Sequence, residues 1–191
     1  MIPDSKQAIA GSITNFLKPQ DMVAGFGIKK GDHIADFGAG HGYFTIPLAR
    51  AAGPNGKVYA IDVQDAALDA IRSKAAFEHL LNIEYIRGDL DNPGGSHLTD
   101  RFIDLVVMAN VLFQAEHKDI ILHEARRILR EGGRLAMIEW DASGPDAVLG
   151  PPRESRMKKE TGRAVALQAG FEYDREFSAG SHHYGLLFVK K

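Results

Sequence analysis

The sequence contains no cysteine. That absence excludes disulfides, thiolate zinc sites, iron–sulfur clusters and any cysteine nucleophile. No apolar run approaches the roughly 20 residues that a membrane-spanning helix needs. Acidic and basic residues nearly cancel, leaving a formal net charge of −2, so no excess of positive charge points to a nucleic-acid surface. Met1-Ile2-Pro3-Asp4-Ser5-Lys6 lacks the charged and apolar regions of a signal peptide, and a cytoplasmic protein is expected. Internal repeats and low-complexity tracts are also missing. What remains is 191 residues, 45% of them apolar, which is material for one α/β domain with a sizeable core and too little for two.

The most informative segment present is Asp36-Phe37-Gly38-Ala39-Gly40-His41-Gly42. An apolar run, residues 33–37, leads through an acidic residue into alternating glycines, and residues 43–52 then read as a helix. A strand-to-helix turn of this kind uses glycine to reach unusual φ and to let backbone N–H groups approach a ligand. A dinucleotide fingerprint would require a third glycine at position 43, which is Tyr43.

Elsewhere the spacing predicts helices over 5–17 and 19–26 as N-terminal cover, then strands over 58–61, 83–86 and 102–109. Leu68, Ile71 and Ala75 mark a helix between the second and third strands. Ile121, Ala125, Ile128 and Leu129 mark one over 118–130, with Glu131-Gly132-Gly133 as its stop and a fifth strand over 135–140. Residues 141–152, rich in Gly and Pro, read as a loop. A final helix ending at Gly170 precedes strands over 171–177 and 184–189. The connection between those two is too short for a crossover, so they should form an antiparallel hairpin. Alternating strands and helices otherwise indicate an α/β fold, a doubly wound, mostly parallel sheet with helices on both faces.

The acidic residue before Gly-x-Gly-x-Gly resembles motif I of the Rossmann-like (class I) S-adenosylmethionine-dependent methyltransferases, and element order resembles that family over roughly residues 30–191. The resemblance lies nearest the broad group that includes the ubiquinone and menaquinone methyltransferases. It implies a seven-stranded sheet of order 3-2-1-4-5-7-6 with strand 7 antiparallel, and a core over 31–191 preceded by cover helices over 1–30. It implies S-adenosylmethionine as cofactor, with Gly38, Ala39 and Gly40 against its methionine and ribose and Asp36 anchoring the loop. Asp62 would then accept from the ribose hydroxyls, Asp89 from the adenine amino group, Val63 and Leu90 would flank the ring, and Asn110 would support the cofactor after the fourth strand. Radical, pyrimidine-C5 and arsenite enzymes that use the same cofactor depend on cysteine, and this chain has none.

The acceptor side is expected at Phe113, Trp140, His182 and Tyr184, with Glu139 and His183 as candidate proton acceptors. Methyl transfer is an in-line displacement in which alignment carries much of the barrier reduction, so a base is needed only for some acceptors. His117, His182, His183 and Asp141 show no metal-ligand spacing, and no metal is expected. The basic run 153–159 reads as a solvated helix start or a contact for an anionic acceptor. A small-molecule acceptor is favoured, because the Asn/Asp-Pro-Pro-aromatic motif of amino-methylating DNA enzymes is missing after the fourth strand. Two other readings stay open at this point, an NAD-dependent oxidoreductase and a non-catalytic binding protein of the same fold.

Overall fold

The computed structural model describes residues 18–144 and 150–191, so the expected helix over 5–17 and part of the 141–152 loop lie outside the described residues. In chain order the elements are α1 (Pro19–Gly25), β1 (His33–Phe37), α2 (Thr45–Ala52), β2 (Lys57–Asp62), α3 (Asp65–Phe77), β3 (Ile83–Arg87) and β4 (Ile103–Ala109). There follow α4 (Lys118–Ile128), β5 (Leu129–Trp140), a short 3-10 turn (Arg153–Ser155), α5 (Lys159–Gln168), β6 (Phe171–Ser178) and β7 (His183–Lys190). The strands make one sheet in the order β3-β2-β1-β4-β5-β7-β6, parallel except that β7 runs antiparallel to both β5 and β6.

The near-continuous apolar character of β1 and β4 follows from burial on both faces of the sheet. Successive side chains alternate between two core layers. Ala35, Phe37, Val106, Met108 and Met137 pack with Ile121, Leu122 and Ala125 of α4 and Ala166 of α5. Ile34, Val58, Ala60, Val107 and Ile138 pack with Val23 of α1, Leu48 and Ala49 of α2 and Leu68 and Ile71 of α3. Among the described residues, no helix is long and apolar enough to cross a membrane.

One feature departs from the sequence reading. The helix over 118–130 stops at Ile128, and β5 begins at Leu129, six residues before its expected start. Glu131-Gly132-Gly133 does not separate two elements. Gly132 takes φ +72°, and the β4–β5 register shifts between the Ile103 and Leu105 pairings, so the glycines form a bulge inside an extended run. The connection from β3 to β4 carries no helix, as no helical spacing in residues 88–101 called for one.

That connection is held by a buried carboxylate. Glu124 of α4 accepts from the backbone N–H groups of Gly94 (3.2 Å) and Ser96 (3.1 Å) and from the Ser96 hydroxyl (2.5 Å). Arg127, one turn later, donates to both Glu124 oxygens (2.8 and 2.7 Å), to the Leu98 carbonyl (2.9 Å) and to Asp100. Burial pushes the Glu124 carboxyl upward, but its bonds from Arg127 and Ser96 outweigh that and hold it below the ordinary carboxylate range. Because the folded-state value is depressed, this contribution is present above the unfolded value of about 4.5 and is lost as pH falls through the folded one.

Glu124→Ala removes the acceptor for three donors while leaving the partly exposed Arg127 paired with Asp100. It should lower the unfolding free energy by about 2 kcal/mol at pH 7, with a smaller loss below pH 4. Urea denaturation at the two pH values measures both.

Candidate functional site

A cleft of about 270 Å³ opens at the carboxyl edge of the sheet, where β1, β4 and β5 end and β7 begins. Sheet register sets its level: Phe37 pairs with Ile61 and Met108, Ala109 with Ile138, and Trp140 with His183. The chain turns to opposite sides of β1 to form β2 and β4, which leaves a crevice beside β1, the usual ligand position in open α/β sheets.

The glycine loop crosses the end of β2. The N–H groups of Gly38 and Ala39 both donate to the Ile61 carbonyl, at 2.9 and 3.0 Å. Gly38 has φ +67°, and a Cβ there would sit 2.8 Å from Val111 Cγ2, so backbone shape and space together require glycine. Gly40 donates its N–H to Asp62 Oδ2 at 2.8 Å, and Gln64 donates to Asp62 Oδ1 at 3.0 Å. Asp62 is therefore a clamp on the loop, and each of its oxygens retains capacity for a further hydrogen bond. Lys74 of α3 fastens the other side of the loop by donating to the His41 carbonyl at 2.7 Å.

Asp36 forms part of the cleft wall beneath this loop and is only 2% exposed. The Thr45 hydroxyl donates to its Oδ2 at 2.6 Å. Burial pushes the Asp36 carboxyl up, the Thr45 bond pulls it down and the Asp62 charge pushes it up again, leaving it at about 7. A pyrophosphate would meet two carboxyl groups here, whereas a cationic ligand would be attracted by them. Across the cleft, Asn110 takes φ +60°, a strained left-handed conformation that asparagine tolerates better than most residues. Its Oδ1 is buried with no hydrogen-bond partner among the described residues. A glycine cradle, a buried acid and an orphaned acceptor fit a ligand carrying positive charge and N–H or O–H donors.

The remaining expected residues divide between the cleft and other places. Gly38, Ala39, Gly40, Asn110, Trp140 and His183 line it, together with Tyr43 and Phe44. The Trp140 and His183 rings lie 4.1 Å apart, and the Arg156 guanidinium is 5.4 Å from the Trp140 ring. His182 bonds to its neighbour Ser181 at 2.8 Å. Val63 is 54% exposed on the same edge, while Leu90 is buried in the core. Asp89 is exposed and caps its own turn, accepting from the Asp91 N–H at 3.1 Å and from the Asn92 amide at 2.8 Å. Phe113 packs against the core and does not line the cleft.

Glu139 and Tyr184, both expected on the acceptor side, do not line the cleft. They pair across β5 and β7 and so share one face of the sheet, opposite to the face shared by Trp140 and His183. Glu139 is wholly buried, and its Oε1 accepts from the N–H groups of Val111 (3.1 Å) and Leu112 (2.7 Å). It shapes the turn that carries Asn110. The Tyr184 hydroxyl lies under α5, so close to Gly162 that a Cβ there would be 2.5 Å away. The basic run also resolves unevenly: Arg156 is buried, donating to the Pro151 and Asp141 carbonyls, rather than solvated. Thr45 is missing from the expected site residues, although a hydroxyl at the head of a mostly apolar helix, nine residues after Asp36, is a usable signal.

Residues 28–174 match the family model described as methyltransferase domain. The ubiquinone/menaquinone biosynthesis C-methyltransferase of Pseudomonas putida is 29% identical over 115 residues, covering 60% of this chain and 44% of the relative. The enzyme of the same name from Pasteurella multocida is 30% identical over 115 residues, covering 60% and 42%. This chain thus matches less than half the length of these curated relatives. A crystal structure of a SAM-dependent methyltransferase from Aquifex aeolicus superposes with a TM-score of 0.83 at 25% identity, covering 93% of this chain and 92% of the other. The [4+2]-cyclase SpnF superposes at 0.73 with 17% identity, covering 90% and 80%, which speaks for the fold alone.

Burial pushes the Glu139 carboxyl up, and the N–H groups of Leu112, Phe113 and Val111 only partly oppose it, leaving it at about 7 against an ordinary 4.5. A value raised in the folded state means that the proton stabilises the native protein; the contribution is full below about 4.5 and is lost as pH rises through about 7. Native stability should therefore fall between about pH 5 and pH 8, and Glu139→Gln should flatten part of that fall, leaving the share from Asp36. Glu139→Ala, which orphans the turn's N–H groups, should cost about 2–4 kcal/mol in chemical denaturation.

Proposed function

This chain belongs to the methyltransferase-domain family, and we propose that it is an S-adenosylmethionine-dependent methyltransferase acting on a small-molecule acceptor. The observation that carries this reading is Asp36: a buried carboxyl in the cleft wall, under a glycine loop clamped by a second carboxylate. That arrangement suits a cationic adenosyl ligand and disfavours the pyrophosphate of NAD.

In this reading Gly38, Ala39 and Gly40 bring backbone against the methionine and ribose portions, and Asp36 offsets positive charge. Asp62 uses its remaining lone pairs for the ribose hydroxyls without releasing Gly40 or Gln64. Asp89 accepts from the adenine amino group, Val63 lends its exposed apolar side to the ring, and Leu90 supports that wall from the core. Asn110 Oδ1 takes a donor from the ligand or the acceptor. Residues 31–191 act as the catalytic core, in a cytoplasmic setting.

When bound, the cofactor supplies a methyl carbon activated by its sulfonium. The protein's part is alignment and exclusion of water, for which the Tyr43, Phe44, Trp140 and His183 wall is suited. Burial pushes the His183 imidazole down, helped by His182 and Arg156, to about 4. It is therefore neutral at pH 7, able to orient a hydroxyl or amine by hydrogen bonding but a weak proton acceptor. An acceptor that needs no strong base on the protein fits this cleft best.

S-adenosylhomocysteine at a hundredfold excess over its Kd should stabilise the protein by about 2.7 kcal/mol, seen as a raised Tm, while NAD should give no shift. Asp62→Ala should abolish the shift; an unchanged shift in that variant would refute the ribose assignment. Transfer of labelled methyl from S-adenosylmethionine into a metabolite extract tests the activity and reveals the acceptor. No shift with either S-adenosyl compound would overturn the reading.

A further inference from the structure

The carboxyl group in the cleft wall sits in surroundings that suit a neutral acid better than an anion. Asp36 is buried, and the described groups that act on its charge are the Thr45 hydroxyl and the like-charged Asp62, with no lysine or arginine among them. The neighbouring elements supply no compensating charge in the neutral range. From β2 comes Asp62, from α2 the Thr45 hydroxyl, from the end of β4 the uncharged Asn110, and from β7 the neutral His183. Between β1 and α2 the titratable groups lining the cleft are His41 and Tyr43, and Lys74, which reaches that loop from α3, donates its ammonium to the His41 carbonyl. The cleft is open to solvent beside this group, so a proton has a route to and from the carboxyl.

We propose that Asp36 is a proton-exchange residue, protonated in the ligand-free cleft and deprotonated when a cationic cofactor binds, so that the affinity for S-adenosylmethionine is set by pH. The inference rests on the cofactor reading given above. The step is balanced: Asp36–COOH becomes Asp36–COO⁻, its proton passes to the buffer, and the incoming positive charge replaces it. No covalent bond other than that O–H changes. The value near 7 for the ligand-free carboxyl places the exchange in the physiological range. Asp36 thereby distinguishes ligands by charge, since an uncharged or anionic nucleotide gives it no reason to surrender the proton.

Isothermal titration calorimetry of S-adenosylmethionine into the protein, in buffers of different ionisation enthalpy, reads the proton count directly. About half a proton should be released per ligand at pH 7, and Kd should tighten about tenfold between pH 6 and pH 8. The His41 side chain lines the same cleft, so His41→Gln serves as the control and should leave both results in place. Asp36→Asn should bind without proton release and with a flat pH profile. In case that variant binds too weakly to measure, Thr45→Val keeps the carboxyl and removes the donor that lowers its proton affinity. Its release profile should move to higher pH. Binding whose enthalpy is independent of buffer from pH 6 to pH 8, or a Thr45→Val profile identical to that of the native protein, overturns the proposal. If neither binding heat nor a Tm shift appears, the cofactor reading itself fails instead.

Discussion

The position of β1 between β2 and β4 is the constraint on which the rest of the molecule depends. Both neighbours run parallel to it, so neither can be reached by a tight turn, and the chain must cross over the sheet each time. One crossover leaves to each side. The crevice this opens at the end of β1 is therefore a geometric consequence of the pairing, and the glycine loop is the segment that must line it. Asp36 and Phe37 end the strand facing opposite layers, which sends Phe37 into the core and leaves the carboxyl at the crevice.

Much of this was legible in the sequence. Apolar runs buried on both faces gave the strands, and the short connection before His183 required a hairpin. What sequence position could not supply was the face. Glu139, Trp140, His183 and Tyr184 all stand at the right level of the sheet, but strand parity sends Trp140 and His183 to the cleft and the other two to the opposite face, Tyr184 beneath α5 and Glu139 against the turn at Val111 and Leu112. Counting alternate residues on from Met137 separates Glu139 from Trp140, and the β5–β7 register carries the same split to Tyr184 and His183. The Gly132-Gly133 pair was misread because the same residues that stop a helix also make a bulge, and only the pairing of Leu129 with Ile103 decides between the two. The Glu124 cluster was illegible for another reason: its partners lie 28 and 30 positions away in sequence, and no local spacing announces such a pair.

Two buried acids, Asp36 and Glu139, illustrate how one physical condition serves two purposes. Both are pushed toward neutrality by burial. Glu139 is answered by backbone N–H groups and becomes part of the scaffold that fixes Asn110. Asp36 is answered by a single hydroxyl and keeps its capacity for a visitor. The contrast shows why a shifted carboxyl cannot be assigned a role until its donors are counted.

The placing of β7 has a consequence for how the molecule is made. It is the last strand in chain order, yet it lies between β5 and β6 and contributes His183 to the cleft. Until residues 183–190 leave the ribosome, β6 has no partner and β5 presents an open apolar edge. The half of the cleft built on β1, β2 and β4 can assemble on the growing chain before that. Its opposite wall is completed last, when β7 pairs with β5 on one side and β6 on the other and brings His183 to the cleft.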